Sequence, residues 1–476
     1  MLKYTGHPFV DVGVAVLENY LKKPCEDFAL DDLNAAAKWL RQLYERKDLK
    51  GYLTVHFPNS GWCNATIKDE KKELYIQTML SSYGAQPLNP SRACPFCGRP
   101  AQFLADRQHI PLLTGTTILV AAPGGVPGLP VCGYCLFAIQ FYPLGTIKVA
   151  GRPLFWWAPE AEMIFALVGD TFGKVRKLLL VSSDDKMANF SWPRTRLLES
   201  AKEVLDRYDP QKPLSDCIGY HVTNYGSDPN FDQYFIPREL LEFWMEVRIA
   251  REEVRHAHRH IEQSAWEIPR EKKGKSKNKR DYAKGGSPQG ESGGDGFADR
   301  SSLRNYYYEA LGEAFERPDW RDGIRSVVPR FFFQRAKEHL STNSFELCEM
   351  FLRKVGGMEK QRLEIIKEIA DRITNDLVLG NNEKRWLSEL YNKEMEPQEF
   401  LRYLVRVQKR LAELGRSFSL DQVLLMFDIA STEETGLKDL KDARLIRSLF
   451  LIRMLEIIGK QKQEMLADIL PEADVS

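Results

Sequence analysis

Apolar and polar positions at the start of the chain follow two different periods. Apolar residues recur at helical spacing over residues 10–21 and 30–46, which predicts two helices. Residues 52–57 and 74–79 instead alternate apolar and polar side chains, which predicts two strands. The segment between these strands, residues 58–64, is rich in turn-forming residues and is typical of a hairpin tip.

The middle of the chain mixes further strand and helix patterns. A run of Val and Leu over residues 177–182 predicts a buried strand, and residues 206–230 have the composition of loop and strand. Residues 108–147 carry no charged side chain but hold eleven Gly and Pro residues, so we expect a β-rich segment and no membrane span. Residues 237–268 begin with an apolar side and then become highly charged, which predicts one long helix.

The remainder of the chain has a purely helical pattern. Residues 271–298 lack large aliphatic side chains and cannot form a core, which predicts a flexible linker. Apolar residues then recur three and four apart in five stretches, over residues 345–355, 363–373, 400–414, 420–429 and 440–458. We therefore expect a mixed N-terminal region followed by an α-helical bundle, which is an α+β fold class.

Composition narrows the possible functions. A length of 476 residues with 43% hydrophobic residues predicts about three domains. The net charge of only +1 excludes a protein held to nucleic acid by bulk charge, so any such contact must use local patches. The first residues lack the basic stretch and unbroken apolar run of a secretion signal, so we expect a cytoplasmic protein with no membrane partner.

Four of the eight cysteines form two close pairs, Cys94 with Cys97 and Cys132 with Cys135. Each pair has CxxC spacing, and we expect Gly98 and Gly133 to let backbone amides approach the thiolates. Four thiolates form a closed tetrahedral site that folds a segment and does not catalyse, so the pattern predicts structural zinc. An iron–sulfur cluster, a redox CxxC and two unrelated thiol pairs are the alternatives.

These signals divide the chain into five predicted parts. They are a mixed α/β part (residues 1–90), a zinc-ribbon-like segment with the four paired cysteines (91–157), the rest of the N-terminal domain ending in a long helix (158–270), a flexible basic linker (271–298) and a helical bundle (299–476).

Polar and basic segments supply candidate DNA contacts. Asn59, Ser60, Trp62 and Asn64 lie on the predicted hairpin tip, where Asn can pair with base edges and Trp can wedge against a base step. An ordinary turn with Trp62 folded into the core is the alternative. Two further basic groups could contact the DNA backbone or form a solvated surface: Lys272, Lys273 and Lys275 in the linker, and Arg402, Arg406, Lys409 and Arg410 in the bundle.

Motifs for catalysis are largely missing. Phosphate-loop, dinucleotide-binding, HExxH and GxSxG motifs do not occur in the sequence. His256 and His260 lie four residues apart and share a helix face, but they would need further ligands to hold a metal. We therefore expect no enzyme, with a metal-dependent nuclease and a zinc-ribbon protein adaptor as alternatives.

The opening Thr5-Gly6-His7-Pro8-Phe9-Val10-Asp11-Val12-Gly13 resembles the N-terminal signature of the large subunit of type I CRISPR effector complexes, in the subtype I-B branch once labelled Tneap or Myxan. That family is also similar in its paired CxxC segment and its C-terminal helical bundle, so the likeness covers nearly the whole chain. From the residues themselves, we expect the motif to pack within the fold, with Asp11 as a helix N-cap.

The resemblance implies a non-catalytic role in antiviral defence. Such a subunit joins the guide RNA complex (Cascade) with its backbone and small subunits, recognises the PAM of target double-stranded DNA and aids R-loop formation. Its bundle supports the displaced single strand, and a helicase-nuclease or a transposition adaptor is then recruited. The resemblance also allows a small subunit to start within this chain, at Met350 or Met358.

Overall fold

The computed structural model describes most of the chain. The described residues are 2–58, 60–64, 66–88, 92–113, 127–181, 189–223, 230–267, 302–335, 337–428 and 442–461. The fold is mixed α+β, with small sheets in the N-terminal region and a helical C-terminal region, as the sequence predicts.

The elements of the N-terminal region alternate between helices and short strands. In chain order they are α1 (Pro8–Leu21), α2 (Leu30–Tyr44), α3 (Lys50–His56), α4 (Asp69–Ser81), β1 (Phe103–Ala105), β2 (Leu129–Val131), α5 (Gly133–Phe141), β3 (Ile147–Val149), β4 (Arg152–Trp157), α6 (Ala161–Val181), β5 (Asn189–Phe190), α7 (Pro193–Leu205), β6 (Cys217–Thr223), β7 (Asn230–Ile236), α8 (Arg238–Ile249) and α9 (Glu252–Ser264).

The C-terminal region is built from helices. They are α10 (Tyr306–Phe315), α11 (Trp320–Arg325), α12 (Phe345–Lys354), α13 (Lys360–Arg372), α14 (Arg385–Asn392), α15 (Pro397–Glu413), α16 (Leu420–Met426) and α17 (Ala443–Gln461). Each of the five predicted stretches contains a helix in its described part, which confirms the helical pattern; residues 429, 440 and 441 lie outside the described ranges. Helix α17 lies at the centre, because residues 445–452 are all buried.

Helix α1 is the centre of the N-terminal core. Its residues 9–19 are all buried, and it packs against α5 and α6. The approach to α5 is unusually close, since a Cβ placed on Gly13 would lie 1.9 Å from the carbonyl oxygen of Ala138. Glycine is therefore required at position 13.

A five-stranded sheet with the order β5-β3-β4-β6-β7 packs beside this core. Strands β3 and β4 form a two-residue hairpin at Ala150 and Gly151, whose φ angles of 46° and 80° suit the twist of the strands. Strand β4 pairs with β6, so the boundary predicted between residues 157 and 158 falls between two neighbouring strands of one sheet.

Three predicted strands are helices in the structure. Residues 52–57 and 74–79 lie largely in α3 and α4, and residues 177–181 end α6. In α4 the buried residues are Ile76, Met79 and Leu80, which have helical spacing, whereas Leu74 is exposed. The short alternating stretches were therefore parts of longer helical patterns.

Two further predictions need correction. Residues 133–141 form α5, so the uncharged stretch is not simply β-rich; its residues 114–126 lie outside the described part. The long helix predicted over residues 237–268 is two helices, because Ala250 and Arg251 have extended backbones with ψ angles of 171° and 152°. No helix in the described ranges is long and apolar enough to cross a membrane.

Gly13→Ala tests the contact between α1 and α5. We expect the free energy of unfolding to fall by about 2–3 kcal/mol, because the added methyl group must push the backbone of Ala138 away. Gly173→Ala is the matched control, since a Cβ there meets open space within α6. Urea denaturation measures both variants, and equal stabilities would contradict the requirement for glycine at position 13.

His56 is a fully enclosed histidine at the end of α3. Its Nδ1 donates to the carbonyl oxygen of Tyr52 at 2.8 Å, and its Nε2 lies 2.7 Å from the hydroxyl oxygen of Thr146. Burial lowers the pKa of His56 to about 4. The imidazole is therefore neutral in the folded chain at neutral pH.

The pKa of His56 predicts acid sensitivity. Between pH 4 and about 6.5 the unfolded chain binds a proton that the folded chain does not, so stability falls as pH falls through this window. His56→Gln removes the group that binds this proton. In the same pH window, we therefore expect the slope of the unfolding free energy against pH to decrease by about 1.4 kcal/mol per pH unit. The exposed His256→Gln is the control, and an equal change in both slopes would rule out this role for His56.

Candidate metal centre and N-terminal motif

The first cysteine pair lies on a tight turn. Gly98 adopts a left-handed φ of 76°, and its amide donates to the carbonyl oxygen of Cys94 at 2.8 Å. The amide of Cys94 in turn donates to the carbonyl oxygen of Arg99 at 2.6 Å. These two bonds close the loop and bring the side chains of Cys94 and Cys97 together.

The second pair lies at the start of α5. Cys132 is the N-cap, and its sulfur accepts a hydrogen bond from the amide of Cys135 at 3.4 Å. Gly133 acts differently from the sequence prediction: its amide donates to Oε1 of Gln102 at 2.8 Å, and a Cβ there would lie 2.1 Å from the backbone of Ser82. Gly133 thus permits close packing and its amide does not contact a thiolate.

The antiparallel β1–β2 ribbon brings the two pairs together, and the four sulfur atoms lie within 4.8 Å of one another. The sulfur atoms of Cys97 and Cys132 are 3.4 Å apart. Four thiolates at about 2.3 Å from a central ion would be about 3.8 Å apart, so the cluster fits a tetrahedral metal. All of the cysteines in the cluster except Cys97 are buried, which makes the site a closed one.

The electrostatics of the cluster also favour a cation. Hydrogen bonds from Cys132 and Cys135 lower the pKa of Cys97, and similar bonds hold the pKa of Cys94 far below its usual range. The neighbouring cysteines, Cys132 first, raise the pKa of Cys135. The sulfurs therefore cannot all ionise without a positive charge between them, and a divalent metal supplies it.

The N-terminal motif is organised by Asp11. Its carboxylate accepts hydrogen bonds from the amides of Thr5 and Gly6 at 2.7 and 2.9 Å, and from the Nε1 of Trp157 at 3.1 Å. Burial raises the pKa of Asp11, although these bonds favour the ionised form. Asp11 lies inside α1, whose N-cap is His7, so the predicted N-cap role is wrong while the predicted packing role is confirmed.

The motif contacts the cysteine cluster directly. The ring of His7 packs on Phe96, between the first two cysteines, with ring centroids 4.3 Å apart. His7 is half-buried, and desolvation lowers its pKa to about 4; its Nδ1 is enclosed and has no hydrogen-bond partner in the described ranges. Sequence spacing carries no signal for this contact, because the two segments are remote along the chain.

In a second group of metal-binding residue types, Glu18, Cys25 and Glu26, the carboxylate of Glu18 is already engaged. Oε1 of Glu18 accepts the amide of Cys25 at 2.8 Å, and Oε2 accepts the hydroxyl of Tyr4 at 2.5 Å. The carboxylate of Glu18 thus serves to join the start of the chain to the end of α1.

The predicted DNA-reading loop is not a hairpin tip. It lies between α3 and α4, and Asn59 is outside the described residues. Ser60 and Trp62 are buried, and the Nε1 of Trp62 donates to Oε1 of Gln140 at 3.1 Å. Oδ1 of Asn64 accepts from its near neighbour Thr66. The alternative with Trp62 in the core is therefore the observed one.

The basic residues of the bundle are only partly available. Arg406 pairs with Glu389, and Arg410 pairs with Glu383 at 2.7 Å. Arg402 and Lys409 are exposed and form no ion pair within the described part of the bundle. The linker residues Lys272, Lys273 and Lys275 lie outside the described ranges.

The histidine-rich helix α9 does not assemble a metal site in the described part of the chain. His256 is exposed, His258 is buried, and His260 packs on His339 with ring centroids 4.4 Å apart. Neither His256 nor His260 belongs to a group of three potential ligands among the described residues.

Comparisons with known proteins found no relative of this chain. No family model, no curated protein and no solved structure matches this chain. Its function must therefore be argued from its own residues.

Cys97→Ser tests the metal centre. We expect one divalent ion per purified wild-type chain by elemental analysis, and a loss of most of it in the variant, because three thiolates with one hydroxyl form a weaker site. Cys63→Ser is the control, since Cys63 is similarly half-buried but lies outside the cluster. A wild-type chain without metal would refute the assignment.

Proposed function

We propose that this chain is a non-catalytic large subunit of a CRISPR RNA-guided surveillance complex. In this role it recognises the PAM of target double-stranded DNA, aids R-loop formation and recruits a helicase-nuclease or a transposition adaptor. The contact between His7 and Phe96 carries the proposal. It joins the N-terminal motif and the cysteine cluster, the two most specific features of the resemblance, in one structural unit.

We propose zinc as the metal of the four-cysteine cluster. Four thiolates, from Cys94, Cys97, Cys132 and Cys135, match its preference for a tetrahedral sulfur site, and such a site has no open position for water. When bound, zinc would hold the β1–β2 ribbon to the start of α5. Elemental analysis distinguishes it from iron, and stoichiometric iron with visible absorbance would refute this choice.

A near-neutral chain is suited to this role. Guide pairing supplies most of the sequence specificity, so the protein needs only a few contacts to a short duplex motif and to the DNA backbone. Ser60 and Trp62 are buried and are not assigned to PAM reading. Arg402 and Lys409, which are exposed, stay candidates for contacts with the DNA backbone.

Co-expression with candidate Cascade backbone subunits and a guide RNA tests the proposal. We expect one copy of this chain to co-purify in a ribonucleoprotein, measured by native mass determination. The assembled complex should then bind a matched target duplex more tightly when the adjacent motif is present. A chain that stays a free monomer, with no RNA, would refute the proposal.

Two cysteine variants distinguish a role of the cysteine cluster in assembly from a general effect on stability. Cys97→Ser should reduce incorporation into the complex, because it removes a ligand next to Phe96 and loosens the unit that the motif packs on. Cys63→Ser should be incorporated like the wild type. Equal incorporation of both variants would show that the cysteine cluster neither contacts the other subunits nor stabilises the surface that does.

A further inference from the structure

Arg447 is a buried arginine in helix α17. It is only 6% exposed, and in the described part of the chain it contacts no carboxylate. Its Nε and Nη2 donate to the carbonyl oxygen of Leu390 at 3.1 and 2.7 Å, and Nη2 also donates to the carbonyl oxygen of Lys393. These carbonyls end helix α14, and the negative end of that helix dipole offsets part of the charge.

One nitrogen of this guanidinium remains available. Nη1 of Arg447 makes no hydrogen bond to a described residue, and it is not among the fully enclosed unpartnered atoms. The other two nitrogens are held by the backbone, so the guanidinium is fixed before any ligand arrives. A buried charge without a counter-ion is unfavourable, and an anion at Nη1 would stabilise it.

Two more arginines lie around this position. Arg444 precedes Arg447 by one helical turn on α17, and Arg335 lies beside the end of α14, where its carbonyl oxygen accepts the hydroxyl of Tyr391 at 2.6 Å. Both are exposed, and neither forms an ion pair with a described residue. Burial first, and then the charges of Arg335 and Arg444, lower the pKa of Arg447.

The acidic residues near this position compensate only part of the positive charge. Glu394 acts against the lowered pKa of Arg447, is exposed, and pairs with no other described cation. Asp442, just before α17, is already engaged with Arg362 at 2.6 Å and with Arg325 at 3.4 Å. The first turn of α17, with the positive end of its dipole, adds to the positive potential.

We propose that Arg335, Arg444 and Arg447 form a binding site for a phosphate group at the end of helix α14. Guanidinium groups match the geometry of phosphate oxygens and donate two bonds at once, and three of them would offset the double charge of a phosphate. Where the phosphate belongs to a DNA strand, the site rests on the proposed function, in which the bundle supports a displaced strand. The site shares no residue with Arg402, Arg406, Lys409 and Arg410, and its failure in the binding experiments below would leave the co-expression result unchanged.

The phosphate can come from a nucleic-acid backbone or from a small phosphorylated molecule. Two probes distinguish these sources: a fluorescent oligothymidine of about fifteen nucleotides, followed by anisotropy, and inorganic phosphate, followed by calorimetry. Both are added to the full chain at about 0.1 M salt. Polyglutamate as a competitor distinguishes a phosphate site from a general site for carboxylates.

The variant Arg335→Glu/Arg444→Glu is the main test, because both side chains are exposed and form no ion pair with a described residue. Arg335 also stacks on the ring of Phe333, with its Cζ 5.4 Å from the ring centroid, so circular dichroism checks that the variant is folded. We expect at least a tenfold loss of affinity for one of the two probes. The slope of log affinity against log salt concentration should become shallower by about two, because two phosphate-neutralising charges are lost. Lys38→Glu/Arg317→Glu is the matched control, since it reverses two exposed cations elsewhere and should change affinity by less than about twofold.

Each outcome decides the proposal. Loss of oligothymidine binding supports a backbone phosphate, and loss of inorganic phosphate binding alone supports a small phosphorylated ligand. Equal losses in the control variant, equally strong competition by polyglutamate, or no binding of either probe by the wild type would overturn the site. Arg447→Lys adds a second test: it keeps the charge but loses the fork, and it should weaken binding while circular dichroism stays unchanged.

Discussion

The close packing of α1 on α5 is the constraint on which the N-terminal region depends. The two backbones meet at Gly13 and Ala138, which fixes how the helices cross. Helix α5 begins directly after Cys132, so its placement also determines where the second cysteine pair lies. The start of α1 carries His7 to Phe96 on the first pair. One contact between helices therefore aligns the motif with the cysteine cluster.

The same helix α5 organises its surroundings through Gln140. This buried side chain accepts the indole N–H of Trp62 at 3.1 Å, and its backbone carbonyl accepts the hydroxyl of Tyr44 from α2 at 2.8 Å. A buried amide must be hydrogen-bonded to be stable, so these contacts specify which residues surround it. They explain why the segment after α3 folds inward, although its composition is that of an exposed turn.

Buried ionisable groups are stabilised in three different ways. Asp11 keeps a carboxylate in the core by accepting hydrogen bonds from neighbouring backbone and side-chain donors. His56 is held in its neutral form, which avoids a buried charge. Arg447 keeps its positive charge against the end of a helix and leaves one nitrogen unsatisfied by the described residues. Only the last arrangement leaves a charge for which a ligand would provide compensation.

The sequence by itself determined the helices with long apolar periods and the four members of the cysteine cluster. Apolar spacing over several turns, as in α15, leaves one helix face to be buried, and two CxxC pairs offer four thiol sulfurs to a metal. Short stretches such as residues 52–57 were ambiguous, because six residues fit both periods. Residues 238–264 contain neither Gly nor Pro, so no helix-breaking residue marked the break between α8 and α9. Only the tertiary structure decided that Trp62 is buried, that His7 meets Phe96 and that Arg335 lies near Arg447, because these pairings join segments remote along the chain.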